Sequence, residues 1–281
     1  MNVNAFGTIS YVDDIDVPAN DSNGQNIPHG VTFNSDGTKM YVTESAATET
    51  VLQYSLSSAY DVSTASLVST EDISTDVKLP HAITFSADGT KMFIMDNDDK
   101  DVEVYTLSTA RDSSTSTWSA RFNFNKSIDD QVRGLTFNPE GTKMYIIGAQ
   151  REVVYQYPLS TPWDVSTVGS KTDSPDLTSD ENDPRNIQFN SDGTQLYIAG
   201  NENNDMKMYS LSTPYDVTTL SSTFTTFDLG SRFSNMRGFI FAFNFTRLFV
   251  TDDTGATNTI FEYSVECSGT CLLYTSDAAD E

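Results

Sequence analysis

Cysteine is nearly absent. The 281 residues hold two, Cys267 and Cys271, both close to the C-terminal end. A disulfide framework is therefore excluded for the rest of the chain. Positive charge is scarce as well: 16 Lys and Arg stand against 40 Asp and Glu, a formal net charge of −24 and an isoelectric point near 4.1. Such a surface repels phosphate backbones and anionic headgroups, so nucleic acid and membrane surfaces are poor partners, and neither nucleic-acid binding nor membrane insertion is expected. No apolar run reaches the roughly 18 residues that a membrane-spanning helix needs. Met1–Gly7 shows neither a basic nor an apolar signal-peptide region, so no secretion signal is expected there. Three chemical signatures are also missing: a Gly-rich phosphate loop, a Cys/His zinc spacing and a Gly-x-Ser-x-Gly elbow. No segment keeps a helical period.

What the chain has instead is a repeat. Phe33, Phe85, Phe137, Phe189 and Phe241 follow one another at a constant 52-residue step. The turn after each keeps that step: Asp36-Gly37-Thr38, Asp88-Gly89-Thr90, Glu140-Gly141-Thr142 and Asp192-Gly193-Thr194. A fifth copy, Asn244-Phe245-Thr246, has drifted. A period of this length belongs to solenoids and propellers, and it argues for one continuous core.

The third copy shows the content of one unit. Gly134–Asn138 is a short apolar run, and Pro139-Glu140-Gly141 is a turn. Lys143–Ile147 and Val153–Tyr157 are rich in β-formers, and a more polar segment near Ser170–Leu177 follows. Four strands of falling apolarity are the pattern of a propeller blade, so the expected fold is all-β, a β-propeller of four-stranded blades. The five repeats are expected at about 29–75, 81–128, 133–180, 185–232 and 237–266. A preceding outer strand at about 8–17 completes a count of five blades, closing the ring and removing its exposed edges. The alternative is an arc of a larger, truncated ring. Recurrent aromatics are expected between blades: Tyr41, Phe93, Tyr145, Tyr197 and Phe249 on second strands, and Tyr54, Tyr105, Tyr157, Tyr209 and Tyr263 on third strands. The loop Leu211–Val217, with kin at Leu56–Val62 and Leu159–Val165, is expected to be structural. The second copy departs from it at Ala110-Arg111-Asp112.

Two resemblances bear on the chain. Phe33–Val42 and Phe137–Ile146 resemble the Ser-Pro-Asp-Gly-Lys-x-Leu-Tyr-Val unit of YVTN-type and lactonase-like β-propellers, over about residues 29–265. The resemblance implies the fold. That superfamily includes surface-layer proteins, sugar lactonases and binding modules, and fold does not carry activity over. No lactonase metal set maps onto these residues. Separately, Cys271–Glu281 resembles the translation of a sequencing adapter. The expectation is a propeller over 1–266, then a non-native or disordered tail at 267–281, with the native chain continuing elsewhere.

One more set keeps the step: His29, His81, Arg133, Arg185 and Arg237 stand just before each first strand. Propeller topology gathers such positions at the mouth of the central channel. If Asp36-Gly37 is a two-residue hairpin turn, Phe33 opposes Met40 and Val31 opposes Val42. Continued outward, that register sets His29 against Glu44, His81 against Asp96 and Arg237 against Asp252. Arg133 and Arg185 then face Gly148 and Gly200. Three uses follow. The basic groups could serve the repeat, binding loop carbonyls or cross-strand acids. Arg133, Arg185 and Arg237 could hold a carboxylate, phosphate or sulfate. His29 and His81, with Glu44, Asp96 and Asp252, could form a metal or acid–base centre. The acidic loops Asp96–Asp101 and Asp252-Asp253 could hold a divalent cation such as calcium, although they lack the glycine and terminal glutamate of a calcium loop.

The regular ring without a catalytic motif leads to the expectation of a non-catalytic binding module, recognising a glycan or protein through its top face. It is expected to be extracellular, cell-surface or virion-associated, and a monomer or part of a larger chain. The rivals are a lactonase-like hydrolase or lyase using His29 and His81, and a structural scaffold domain of a longer protein.

Overall fold

The computed structural model describes residues 6–17, 27–45, 48–124, 128–177, 183–201, 205–253 and 258–267. Strand β1 is Phe6–Asp16. Blade 1 follows as β2 (Ile27–Phe33), β3 (Lys39–Ser45), β4 (Thr50–Leu56) and β5 (Ala65–Asp72). Blade 2 is β6 (Pro80–Phe85), β7 (Lys91–Asp96), β8 (Asp101–Leu107) and β9 (Ser116–Asn123). Blade 3 is β10 (Val132–Phe137), β11 (Lys143–Gly148), β12 (Val153–Pro158) and a short β13 (Thr172–Asp173). Blade 4 is β14 (Pro184–Phe189), β15 (Gln195–Gly200), β16 (Asp205–Leu211) and β17 (Leu220–Asp228). Blade 5 is β18 (Met236–Ala242), β19 (Arg247–Asp253) and β20 (Asn258–Cys267), and β1 pairs with β20 as its fourth strand. First strands touch in a cycle: β2 with β6, β6 with β10, β10 with β14, β14 with β18, and β18 with β2. The fold is a closed five-bladed propeller. The proposed tail beyond residue 267 lies outside the described residues.

Packing between blades repeats one contact. A second-strand aromatic lies on the first-strand phenylalanine of the next blade. The ring centroids are 4.6 Å apart for Tyr41–Phe85, 4.7 Å for Phe93–Phe137, 4.6 Å for Tyr145–Phe189 and 5.0 Å for Tyr197–Phe241. Phe249–Phe33, at 4.4 Å, closes the cycle. The apolar interior is not the single core expected from the repeat. It divides into clusters, each lying between neighbouring blades. The reason is geometric: first strands meet edge to edge around an axis, so side chains stack between sheets and not across the centre.

The repeated loop motifs latch one blade to the next. Gly37, Gly89, Gly141 and Gly193 have φ near +70°, and a side chain on Gly141 would enter the Trp163 ring. Above each glycine sits a left-handed residue of the outer loop: Tyr60, Arg111, Trp163 or Tyr215. Its carbonyl accepts from the preceding blade in three of the four copies. Arg111 O accepts from Lys39 Nζ at 2.8 Å and Tyr41 Oη at 2.6 Å. Trp163 O accepts from Lys91 Nζ at 2.9 Å, and Tyr215 O from Lys143 Nζ at 2.8 Å. The aspartate after each left-handed residue caps a short 3₁₀ turn. The departure at Arg111 keeps the packing by other means, its guanidinium lying 4.9 Å from the Phe85 ring centre.

Phe249 is fully buried on Phe33 at the closing interface. Phe249→Ala should cost about 3–5 kcal/mol, read as a melting temperature lower by roughly 10 °C. A loss under about 2 °C would show that this interface does not hold the ring.

Candidate functional site

The pairing within blade 1 follows the expected register from Phe33–Met40 to Val31–Val42. The hairpin loop is Ser35–Thr38, because Asn34 N also donates to Lys39 O at 3.1 Å. Its register equals that of the shorter turn. Beyond Val31 the expectation fails. Pro28 opposes Glu44, Pro80 opposes Asp96 and Met236 opposes Asp252. Likewise Val132 opposes Gly148, and Pro184 opposes Gly200. Every first strand carries a β-bulge, so the basic residue sits in the extra position and not opposite the acid expected for it. Bulges re-aim side chains in this way. Here they turn the five basic residues to the channel.

The acids named from that register do other work. Asp96 accepts from the amides of Lys78 (2.7 Å), Leu79 (3.1 Å) and Asp98 (2.8 Å). Asp252 accepts from the amides of Asn235 (2.7 Å) and Ser234 (3.2 Å). Glu44 accepts from Thr50 Oγ1 at 3.0 Å. Blade 3 fills the same role from the opposite segment: Asp129 accepts from the amides of Gln131 and Arg151, each at 2.8 Å. A side chain at Gly148 would collide with the Asp129 carboxylate. The glycine facing Val132 therefore marks a relocated clamp. Asp96, Asp129 and Asp252 tie the segment before the first strand to the end of the second.

The basic residues do converge. His29, His81, Arg133, Arg185 and Arg237 line one pocket of about 320 Å³ at the channel mouth. Close strand approach makes this possible: a side chain at Gly30 would lie 2.5 Å from His81 O, and one at Gly238 2.5 Å from His29 O. Thr43 Oγ1 donates to His81 O at 2.6 Å and Thr251 Oγ1 to His29 O at 2.5 Å, fastening blades 1, 2 and 5 at this level.

The imidazoles of His29 and His81 are in contact, ring centres 4.3 Å apart, and both are buried. His29 Nε2 lies 2.9 Å from Ser45 Oγ. Burial foremost, then neighbouring positive charge, holds both well below the ordinary histidine value, so both are neutral at pH 7. Asp183, which the sequence reading did not single out, bridges two arginines: Arg133 Nη1 donates to Oδ1 and Arg185 Nη2 to Oδ2, each at 2.6 Å. Arg133 Nη2 donates to Gln131 Oε1 at 2.6 Å, and Arg237 Nη2 to Asp253 Oδ2 at 2.8 Å. Burial and the neighbouring guanidiniums lower Arg185 to about 10, which leaves it protonated at neutral pH. One buried nitrogen on each of the five residues has no hydrogen-bond partner among the described residues: Nδ1 of both histidines and Nε of the three arginines. Gln131 and Asp183 lie two residues before Arg133 and Arg185, just ahead of β10 and β14, and no strand periodicity points to them.

Among the described residues no group of three or more His, Cys, Asp or Glu is placed to hold a metal ion. In the Asp96–Asp101 loop, Asp96 is held by amides and Asp99 pairs with Lys78 at 2.7 Å. Asp101 is fully buried beside Glu103, and burial, then the Glu103 charge, pushes it up to about 7.

No family model matches this chain, and no curated protein does. Solved structures of similar shape include regucalcin from Agrobacterium tumefaciens, described as calcium-binding, with TM-score 0.51 and 14% identity over 87% of this chain and 92% of that one. A nidogen/laminin complex chain gives 0.52 and 13%, covering 80% of this chain and 72% of that one. A putative 6-phosphogluconolactonase from Bacteroides fragilis gives 0.50 and 12%, covering 83% and 66%. A similar enzyme from Bacteroides uniformis is spanned over 58% of its length. At such identities the likeness shows the fold alone, and it agrees with the lactonase-like propeller resemblance.

Two pH predictions follow with opposite signs. The folded state keeps His29 and His81 neutral, so the unfolded chain binds more protons below about pH 6.5 and their contribution to stability falls on acidification. Relative to wild type, the double variant His29→Gln/His81→Gln should therefore lose fewer degrees of melting temperature between about pH 7.5 and pH 5. Asp101 has a raised folded value, so it weakens the fold increasingly as pH rises toward 7. Asp101→Asn should gain several degrees over wild type near pH 8 and less near pH 5. Parallel melting curves for wild type and variant would contradict either assignment.

Proposed function

We propose that this propeller is a non-catalytic binding module that takes an anionic group of its ligand into the channel mouth. The observation that carries the reading is the set of three guanidiniums from three blades in one pocket, Arg185 buried and Arg133 and Arg237 half-buried, each with a buried Nε–H that has no partner among the described residues. A purely structural ring of cations would satisfy its donors within the fold, because an unmet buried donor is costly. The hydrolase reading has less support. Among the described residues the neutral imidazoles have no carboxylate partner, and Glu44, Asp96 and Asp252 are engaged elsewhere. An exterior of strong negative charge suits a module working in salt, at a cell or virion surface, and disfavours polyanionic partners.

Titration calorimetry near pH 7.5 with D-glucuronate, sulfate and phosphate tests this. At least one should bind, and Arg185→Ala should weaken it roughly 10- to 100-fold, the worth of one charge-assisted hydrogen bond. Asp183 keeps Arg133 as a partner in that variant. D-Glucono-1,5-lactone should be turned over no faster than in buffer. Absence of binding by all three anions, or binding indifferent to Arg185→Ala, would overturn the proposal.

A further inference from the structure

We infer that the group held at the channel mouth carries a single negative charge, the carboxylate of a terminal acidic sugar of the uronate type. This rests on the reading of the mouth as an anion site and goes further, to the charge and body of the ligand.

The charge argument uses the groups in contact there. Arg133, Arg185 and Arg237 contribute three positive charges. Asp183 and Asp253 return two negative charges through direct ion pairs. The two imidazoles are neutral at pH 7 and add none. Among the described residues in direct contact one positive charge is left, which a carboxylate cancels. A phosphate monoester, near −2 at this pH, would leave a buried excess negative charge. Asp96, Asp129 and Asp252, clamping the segments before the first strands of blades 2, 3 and 5, add to that cost.

The lining defines the body of the ligand. Asn97 Oδ1 already accepts from Val132 N at 2.9 Å, and Gln131 Oε1 from Arg133 Nη2 at 2.6 Å. Both amides therefore have their NH₂ groups left to offer. With the guanidiniums of Arg133, Arg185 and Arg237, the wall is rich in donors, and it suits a ligand rich in acceptors such as a carboxylate flanked by hydroxyls. Ile27 and Leu79 supply an apolar surface for the C–H face of a sugar ring. A volume of about 320 Å³ is at the small end of ligand pockets and matches one monosaccharide. A pocket at the end of an axial channel receives a chain end and not a through-running chain.

The test compares four probes by calorimetry near pH 7.5: D-glucuronate, D-glucose, D-glucose 6-phosphate and acetate. The inference expects D-glucuronate to bind at least tenfold tighter than each of the others. Asp253→Asn adds one positive charge to the pocket and should shift the ratio of glucose 6-phosphate to glucuronate affinity upward by tenfold or more. Acidification to about pH 5.5 protonates the phosphate monoester and should tighten glucose 6-phosphate binding to wild type while leaving glucuronate nearly unchanged. This second measurement needs no variant. Glucose 6-phosphate binding as tightly as glucuronate near pH 7.5, and weakened by Arg185→Ala, would overturn the single-charge assignment and leave the anion site standing. Acetate matching glucuronate would overturn the sugar assignment and point to a protein carboxylate. Sulfate binding without any of the four probes would do the same to the whole inference, whereas silence from every anion would remove the anion site itself.

Discussion

The whole arrangement depends on one contact made five times, an aromatic side chain on a second strand resting on the first-strand phenylalanine of the next blade. Stacked sheets in a ring must each meet two neighbours, and a ring with one weak interface opens. The pair formed by Phe249 and Phe33 joins residues far apart in the chain, so it carries the entropic cost of closure. Strand β1 shares that load by completing blade 5, which ties the start of the described chain to its end. The lysine-to-carbonyl latches and capped 3₁₀ turns repeat the same logic nearer the outer edge.

The channel mouth is a consequence of this packing. First strands can crowd the axis only where side chains are small or absent, as at Gly30 and Gly238. The β-bulge beside that crowded point turns one basic side chain per blade inward. Three of these are permanent cations and two are titratable groups held neutral by their surroundings. Like charges so close together are tolerated because Asp183 and Asp253 pair with them. The pairing is incomplete: among the described residues three guanidiniums meet two carboxylates.

Much of this was legible in the residues, and the boundary of what was legible has a physical cause. Blade number, strand order and the closing role of the N-terminal strand follow from the 52-residue step and from apolar alternation, signals local to each repeat. The convergence of His29, His81 and the three arginines follows from the same step. The bulge did not, because one extra residue in a strand leaves no mark in the periodicity; in blade 1 Thr43 fastens it to the next blade, bonding both Gly30 N and His81 O. Without the bulge, Glu44, Asp96 and Asp252 were set opposite the wrong partners. The clamp at Asp129 was hidden for a related reason, since a carboxylate can reach the same amides from either side of a strand pair. The short β13 shows the limit of composition, a polar outer segment that forms little of the strand expected of it.

The chain contains only two histidines, which makes the mouth directly observable by imidazole NMR. The account requires a cross-peak between the ring protons of His29 and His81, residues 52 apart in sequence whose rings are 4.3 Å apart, and shifts that stay constant from about pH 8 to pH 6. Two independent rings with no cross-peak, each titrating near the ordinary value of about 6.5, would contradict it.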